Sequence, residues 1–183
     1  MHKPIILPFE GKTPKIHPSA LIMPGAVVIG DVEIGEGSNI WPGVVIRGDI
    51  NYIRIGKRTN IQDGTVVHVT RPAFSKNQKG MTLIGDDITI GHKALLHACT
   101  LEDGSFVGMG AIVIDGATVQ TGAMVAAGAL VTYNKVIPTG EIWAGNPATF
   151  LRKMKEEEKA YIPKSAQHYV EDAKMYINQL HSN

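Results

Sequence analysis

Branched aliphatic residues recur at every sixth position along most of this 183-residue chain. The series runs Ile16, Ile22, Val28, Ile34, Ile40 and Ile46, and after three extra residues resumes at Ile55, Ile61 and Val67. A longer insertion, Val69 to Leu83, separates these from Ile84, Ile90 and Leu96. One step is a residue short and reaches Leu101; Val107, Val113, Val119, Val125, Val131 and Ile137 follow. Strands alternate and helices repeat about every 3.6 residues, so this period belongs to neither. It fits a short strand plus a corner, with three such units closing one triangular coil. The repeated aliphatic then points inward and stacks on its equivalent in the next coil, about 4.8 Å away. Glycine follows the aliphatic at Gly35, Gly56, Gly85, Gly91 and Gly108, and alanine recurs at Ala26, Ala94, Ala111, Ala117, Ala123 and Ala129. Such residues let the backbone turn sharply. One coil cannot bury its own core, so many must stack. The chain therefore reads as mainly β: an N-terminal segment 1–14, a parallel β-helix of hexapeptide repeats over 15–147 with an insertion loop 69–83, and a C-terminal segment 148–183.

An aromatic content of 6% and 20 glycines suit a core of small aliphatics and repeated corners. A formal charge of +1 argues against nucleic acid or an anionic membrane as partner. Cys99 stands alone, so the fold needs no disulfide, and a buried inert thiol is expected. Met1 to Pro8 lacks a signal-peptide pattern, and the longest apolar stretch, Ala123 to Val131, is too short to span a bilayer. A cytoplasmic protein is the expectation. After Pro147 charges appear, Lys155 to Lys159 among them, and Pro163 interrupts. Ser165 reads as the N-cap of a helix whose Ala166, Tyr169, Ala173, Tyr176 and Leu180 form one apolar face. That face is expected to pack on the outside of the coils.

The register places side chains by itself. Ile55 and Ile84 lie on a first face, Ile61 and Ile90 on a second, Val67 and Leu96 on a third. His68 and His97 each follow the inward residue of the third face, so both point outward, one coil apart. Arg47 falls in the same column, one coil below His68. His92 sits two past Ile90, near the corner between the second and third faces. A single chain is poorly placed to bring all three imidazoles to one metal, and a neighbouring chain in a cyclic trimer supplies the missing one. The predicted ligands are His68 and His97 of one subunit with His92 of the next. His2, His17, His168 and His181 read as ordinary histidines.

The repeats resemble the hexapeptide-repeat superfamily over Ile16 to Pro147, with Ala144-Gly145-Asn146-Pro147-Ala148 similar to its exit motif. That resemblance implies a left-handed coil, where the general crossover rule would give a right hand. Arg47-Gly48-Asp49, Asn60-Ile61-Gln62-Asp63, His68, Ile90-Gly91-His92, Leu96-His97-Ala98-Cys99 and Val107-Gly108-Met109-Gly110 resemble the γ-class carbonic anhydrases more narrowly. The resemblance implies a homotrimer with His68, His92 and His97 on a metal across the interface, and an inter-subunit salt bridge between Arg47 and Asp49. It also implies that Gln62 orients the metal-bound solvent. Tyr176-Ile177-Asn178 is similar to a segment near the family's active site, which makes Tyr176 and Asn178 further candidates. Zinc on three neutral histidines keeps an open position for water and brings its pKa to about 7, giving a nucleophile for carbon dioxide and bicarbonate as product. Iron(II) or cobalt would suit the same imidazoles. Asp63 and Asp49 are candidates for holding an imidazole or Arg47 in place, although Gln62 and Asp63 also suit corner hydrogen bonding.

Two departures from that family concern the proton. Ile50 stands where its best-known enzyme has a glutamate, and the insertion carries Arg71, Lys76 and Lys79 in place of an acidic shuttle. Proton export then needs water, buffer or another residue, and slow turnover is the expectation. Three other functions share this coil: an acyltransferase using acyl-CoA with one histidine as general base, a metal-dependent thioesterase, and a non-catalytic metal-binding trimeric scaffold.

Overall fold

The computed structural model describes residues 3–74 and 80–181, with side chains as far as residue 179. Lys76, Lys79, His2 and the side chains of Leu180 and His181 lie outside the described residues.

The six-residue period becomes three parallel ladders. The first face stacks Ile16, Ile34, Ile55, Ile84, Leu101, Val119 and Ile137. The second stacks Ile22, Ile40, Ile61, Ile90, Val107, Val125 and Trp143. The third stacks Ile6, Val28, Ile46, Val67, Leu96, Val113 and Val131. The chain is thus a parallel β-helix of about seven coils, and the inward residues merge into one continuous core. The recurrent alanines are buried beside them, Ala111, Ala117, Ala123 and Ala129 completely. Glycine after the aliphatic answers to close approach between coils. A Cβ on Gly91 would lie 2.6 Å from the Met109 nitrogen, and one on Gly108 would lie 2.5 Å from that of Ala127.

Boundaries differ from the sequence reading at four places. Ile5–Leu7 pairs in parallel with Val27–Ile29, so the N-terminal segment adds the bottom rung of the third face. Val69 is fully buried, and Thr82–Ile84 pairs with Ile53–Ile55. The insertion is therefore shorter than 69–83 at both ends, and Phe74 within it is 78% exposed. Beyond the last coil, Thr149–Lys153 turns back antiparallel on Glu141–Ala144 before any helix begins. Finally, the helix spans Glu156–His181 and is called α1 here. Pro163 lies inside it, and Ser165 is not its N-cap. The first turn explains this. Glu156, Glu157 and Glu158 sit at the positive end of the helix dipole. The Glu158 carboxylate accepts the Lys155 backbone N–H at 2.8 Å, closing the turn as a capping box does. Ile162 packs with Ile142 and Met154, which offsets the bond lost at the proline. Further along, Tyr169, Ala173 and Ile177 pack on Leu21, Met23 and Trp41, so the expected apolar face does lie against the coils.

Candidate metal centre

Two irregularities in the repeat shape the site. Where three extra residues follow Ile46, strand Val45–Ile55 runs unbroken from the third face into the first. Arg47, Gly48 and Asp49 lie in that run. Where the repeat is a residue short after Leu96, Ala98 takes a left-handed φ of 48° directly after His97. An alanine held there is strained, and such strain persists only where the surrounding structure fixes it.

His68 and His97 are ladder partners, with ring centroids 5.2 Å apart and planes tilted by 51°. Each is held by a carboxylate. His97 Nδ1 lies 2.7 Å from Asp115 Oδ2, and Thr70 donates to the other Asp115 oxygen at 2.5 Å. His68 Nε2 lies 2.9 Å from Asp49 Oδ1, and Arg47 donates to Asp49 Oδ2 within the same chain. Burial pushes the His68 pKa down, and Arg47 adds to the effect against the pull of Asp49. A lowered pKa favours the neutral ring, the form in which a histidine can ligate a metal. Burial would raise the carboxyls of Asp49 and Asp115, but hydrogen bonds outweigh it and hold both below the usual range. For Asp49 these come from His68, Arg47 and the Ile50 amide; for Asp115 from Thr70 and His97.

His92 stands apart at the corner. Its Nδ1 is 2.9 Å from Asp63 Oδ2, directly one coil below. Neutral rings that donate from Nδ1 to Asp115 and Asp63 leave the Nε2 lone pairs of His97 and His92 available. Among the described residues of one chain, no three His, Cys, Asp or Glu side chains converge as a metal site. Imidazole nitrogens of this kind suit a borderline divalent cation.

Gln62 is 5% exposed, and its Nε2 donates to Asn60 Oδ1 at 3.0 Å. Gln62 and His92 line a cleft of ≈ 350 Å³ between the second face and α1, walled also by Phe106, Met109, Tyr161 and Tyr169. Tyr176 and Asn178 do not line it. Tyr176 packs edge-on against Trp41, with centroids 5.2 Å apart, and Asn178 lies exposed near the end of α1. Cys99 is buried, which pushes its thiol up to about 12 and leaves it unreactive at neutral pH. Asp115, Thr70 and Tyr169 were missed as site residues from sequence. Asp115 falls two past Val113, in the coil above and one position on from His97, so the register does not pair the two.

An outward column flanks the histidines. Ile5, Val27, Val45, Val66, Leu95, Ile112 and Leu130 are successive rungs on the third face. Val66, Leu95 and Ile112 are exposed, between 37% and 39%. Together these rungs form a continuous aliphatic stripe.

Residues 13–48 match the bacterial transferase hexapeptide (six repeats) family. The chain is 49% identical over 178 residues to γ carbonic anhydrase 2, mitochondrial, of Arabidopsis thaliana, a match covering 97% of this chain and 63% of that protein. The chain thus spans less than two thirds of that relative's length. It is 36% identical over 172 residues to a carbonic anhydrase of Geobacillus kaustophilus, covering 94% of this chain and 91% of that one. A solved hexapeptide transferase family protein of Anaplasma phagocytophilum superposes with a TM-score of 0.88 at 47% identity, over 94% of this chain and 98% of that chain. At that identity and coverage, with the motif histidines on their expected rungs, the chain belongs to the γ-carbonic-anhydrase-like family of hexapeptide-repeat proteins.

Proposed function

We propose that this chain is one subunit of a cyclic homotrimer that catalyses the reversible hydration of carbon dioxide to bicarbonate. Its metal would be held by His68 and His97 of one subunit and by His92 of the partner subunit. The observation that carries this reading is the pair of stacked, carboxylate-braced imidazoles on adjacent rungs. The aliphatic stripe beside them supports assembly through the third face. Zinc, or iron(II) or cobalt in its place, would supply the acidification of water at neutral pH.

The chain's own residues do the rest. Asp115 and Asp63 accept the Nδ1 protons of His97 and His92 and so fix tautomer and ring plane. Asp49 holds both His68 and Arg47. Gln62 offers an amide beside His92 to orient solvent. The apolar walls of Phe106 and Met109 admit a small apolar gas more readily than an ion. Location in the cytoplasm is part of the same proposal, since a buried lone thiol asks for no oxidising compartment. Among the described residues no helix is long and apolar enough to cross a membrane.

The test is metal content of the purified protein with parallel assays of carbon dioxide hydration and acetyl-CoA turnover. We expect one bound cation per subunit, hydratase activity, and loss of both in His97→Ala. Metal-free protein that turns over only acetyl-CoA would replace this reading with an acyltransferase.

A further inference from the structure

Beneath α1 the second face carries a buried polar chain that packing alone does not call for. Asn60 is fully buried, Thr89 is 2% exposed and Ser165 is 4% exposed. Asn60 Nδ2 donates to the Ile88 carbonyl at 3.2 Å and to Thr89 Oγ1 at 2.9 Å. Thr89 Oγ1 lies 3.0 Å from Ser165 Oγ, a contact between the coils and α1. Gln62 Nε2 donates to Asn60 Oδ1 at 3.0 Å.

The polarity of this chain follows from one anchor. A carbonyl only accepts, so the side of Asn60 facing Ile88 must be its NH2. Its oxygen therefore faces Gln62, and Gln62 must answer with its own NH2. That leaves Gln62 Oε1 as the end not used by Asn60. Thr89 already accepts from Asn60, so its hydroxyl hydrogen is free to go to Ser165. Burying polar groups costs free energy unless every partner is present, so each link holds the next.

We propose that Ser165 on α1, acting through Thr89, holds Asn60 and with it the Gln62 amide in place, while the Ile88 carbonyl fixes which way that amide points, so that Gln62 presents an acceptor rather than a donor to the cleft it shares with His92. Thr89 and Ser165 are positioning residues, and the seating of α1 is coupled to the reaction site. The functional side of this proposal rests on the assignment of Gln62 to that site.

The experiment uses full-length protein labelled with 15N-glutamine. The chain holds five glutamines, Gln62, Gln78, Gln120, Gln167 and Gln179, so the side-chain spectrum is sparse, and Gln62→Glu assigns the resonance. Thr89→Val removes the acceptor for Asn60, Thr89→Ser keeps it, and Ser165→Ala removes the partner of Thr89. We expect Thr89→Val to shift the Gln62 amide resonance and speed its hydrogen exchange by about tenfold, and in zinc-loaded protein to lower kcat by about tenfold with KM within about twofold. Thr89→Ser restores both, and Ser165→Ala moves both the same way by less. A Gln62 resonance identical to wild type in both Thr89→Val and Ser165→Ala overturns the proposal, as does failure of Thr89→Ser to restore it. Should Thr89→Val not fold, Ser165→Ala decides alone. The amide spectrum needs neither metal nor turnover, so it separates this proposal from the hydratase reading: an inactive wild type would defeat that reading while the spectrum still rules on the chain.

Discussion

Ile112→Glu tests assembly at the outward stripe. Ile112 lies one rung above Leu95 and one below Leu130, and is 37% exposed in the single chain. Complete burial of isoleucine contributes about 1.5–3 kcal/mol, so finishing that burial in an interface contributes about 1 kcal/mol. An unpaired carboxylate forced into the same contact costs several kcal/mol, which brings the substitution to about 4 kcal/mol per subunit. Three equivalent interfaces make about 12 kcal/mol, or about nine decades in the trimer association constant. In the separate chain the glutamate stands in water, and the fold loses no more than about 0.5–1 kcal/mol. Sedimentation velocity with a parallel zinc titration reads both effects. Wild type should sediment as three chains, and Ile112→Glu as one chain with unchanged circular dichroism. Zinc affinity should fall by at least about a hundredfold, because a monomer keeps two of the three ligands. A trimeric variant would remove the third face from the interface. A monomeric variant with undiminished zinc affinity would refute the shared site itself.

Two further outcomes follow from particular contacts. Asp115→Ala deletes the acceptor of both His97 Nδ1 and Thr70 Oγ1, and zinc affinity measured against a competing chelator should fall about 10–100-fold with the trimer intact. Burial would raise the Asp31 carboxyl, but hydrogen bonds and charge from Lys12 and Arg54 outweigh it and hold it below its ordinary value. Its folded pKa lies below the unfolded one, so its contribution is present at neutral pH and is lost as pH falls through the folded value, below about 4. The Tm of wild type should drop across that range, and that of Asp31→Asn should drop less; parallel acid limbs would contradict it.

The coil architecture was legible because its period matches no other regular structure, and every inward residue named from sequence occupies its rung. Handed that register, the vertical pair His68–His97 also followed; Asp63 beneath His92 is likewise a same-face position one coil apart, but that pairing was not drawn from the sequence. What escaped came from contacts the period does not encode. Asp115 reaches His97 diagonally from the coil above, across the corner left by the shortened step. The sequence puts the start of α1 at Ser165 because Pro163 reads as a boundary, whereas Glu158 caps an earlier turn and Ile162 anchors it. Tyr176 was named for its likeness to a family segment. In its own chain the helix phase sets it on Trp41, one coil below Gln62, and sets Tyr169 in the cleft.

The histidine nitrogens say what assembly must still change. His92 and His97 donate from Nδ1 to carboxylates and so offer Nε2. His68 does the reverse: its Nε2 faces Asp49, which also holds Arg47. A cation taking Nε2 from all three rings must displace Asp49 from His68, and the freed carboxylate would keep only Arg47 as partner. A cation taking Nδ1 of His68 leaves the Asp49 bond intact and needs that ring turned relative to His97, consistent with their 51° tilt. The two modes are distinguished by Asp49→Asn. In the first mode, removing the charge that competes for His68 leaves zinc affinity unchanged or raises it. In the second, it weakens the brace on a bound ligand and lowers affinity by the same order as Asp115→Ala. The position of Asp49 in the three-residue interruption of the repeat matters either way, because an uninterrupted hexad would carry the chain around a corner before it could reach the histidine column.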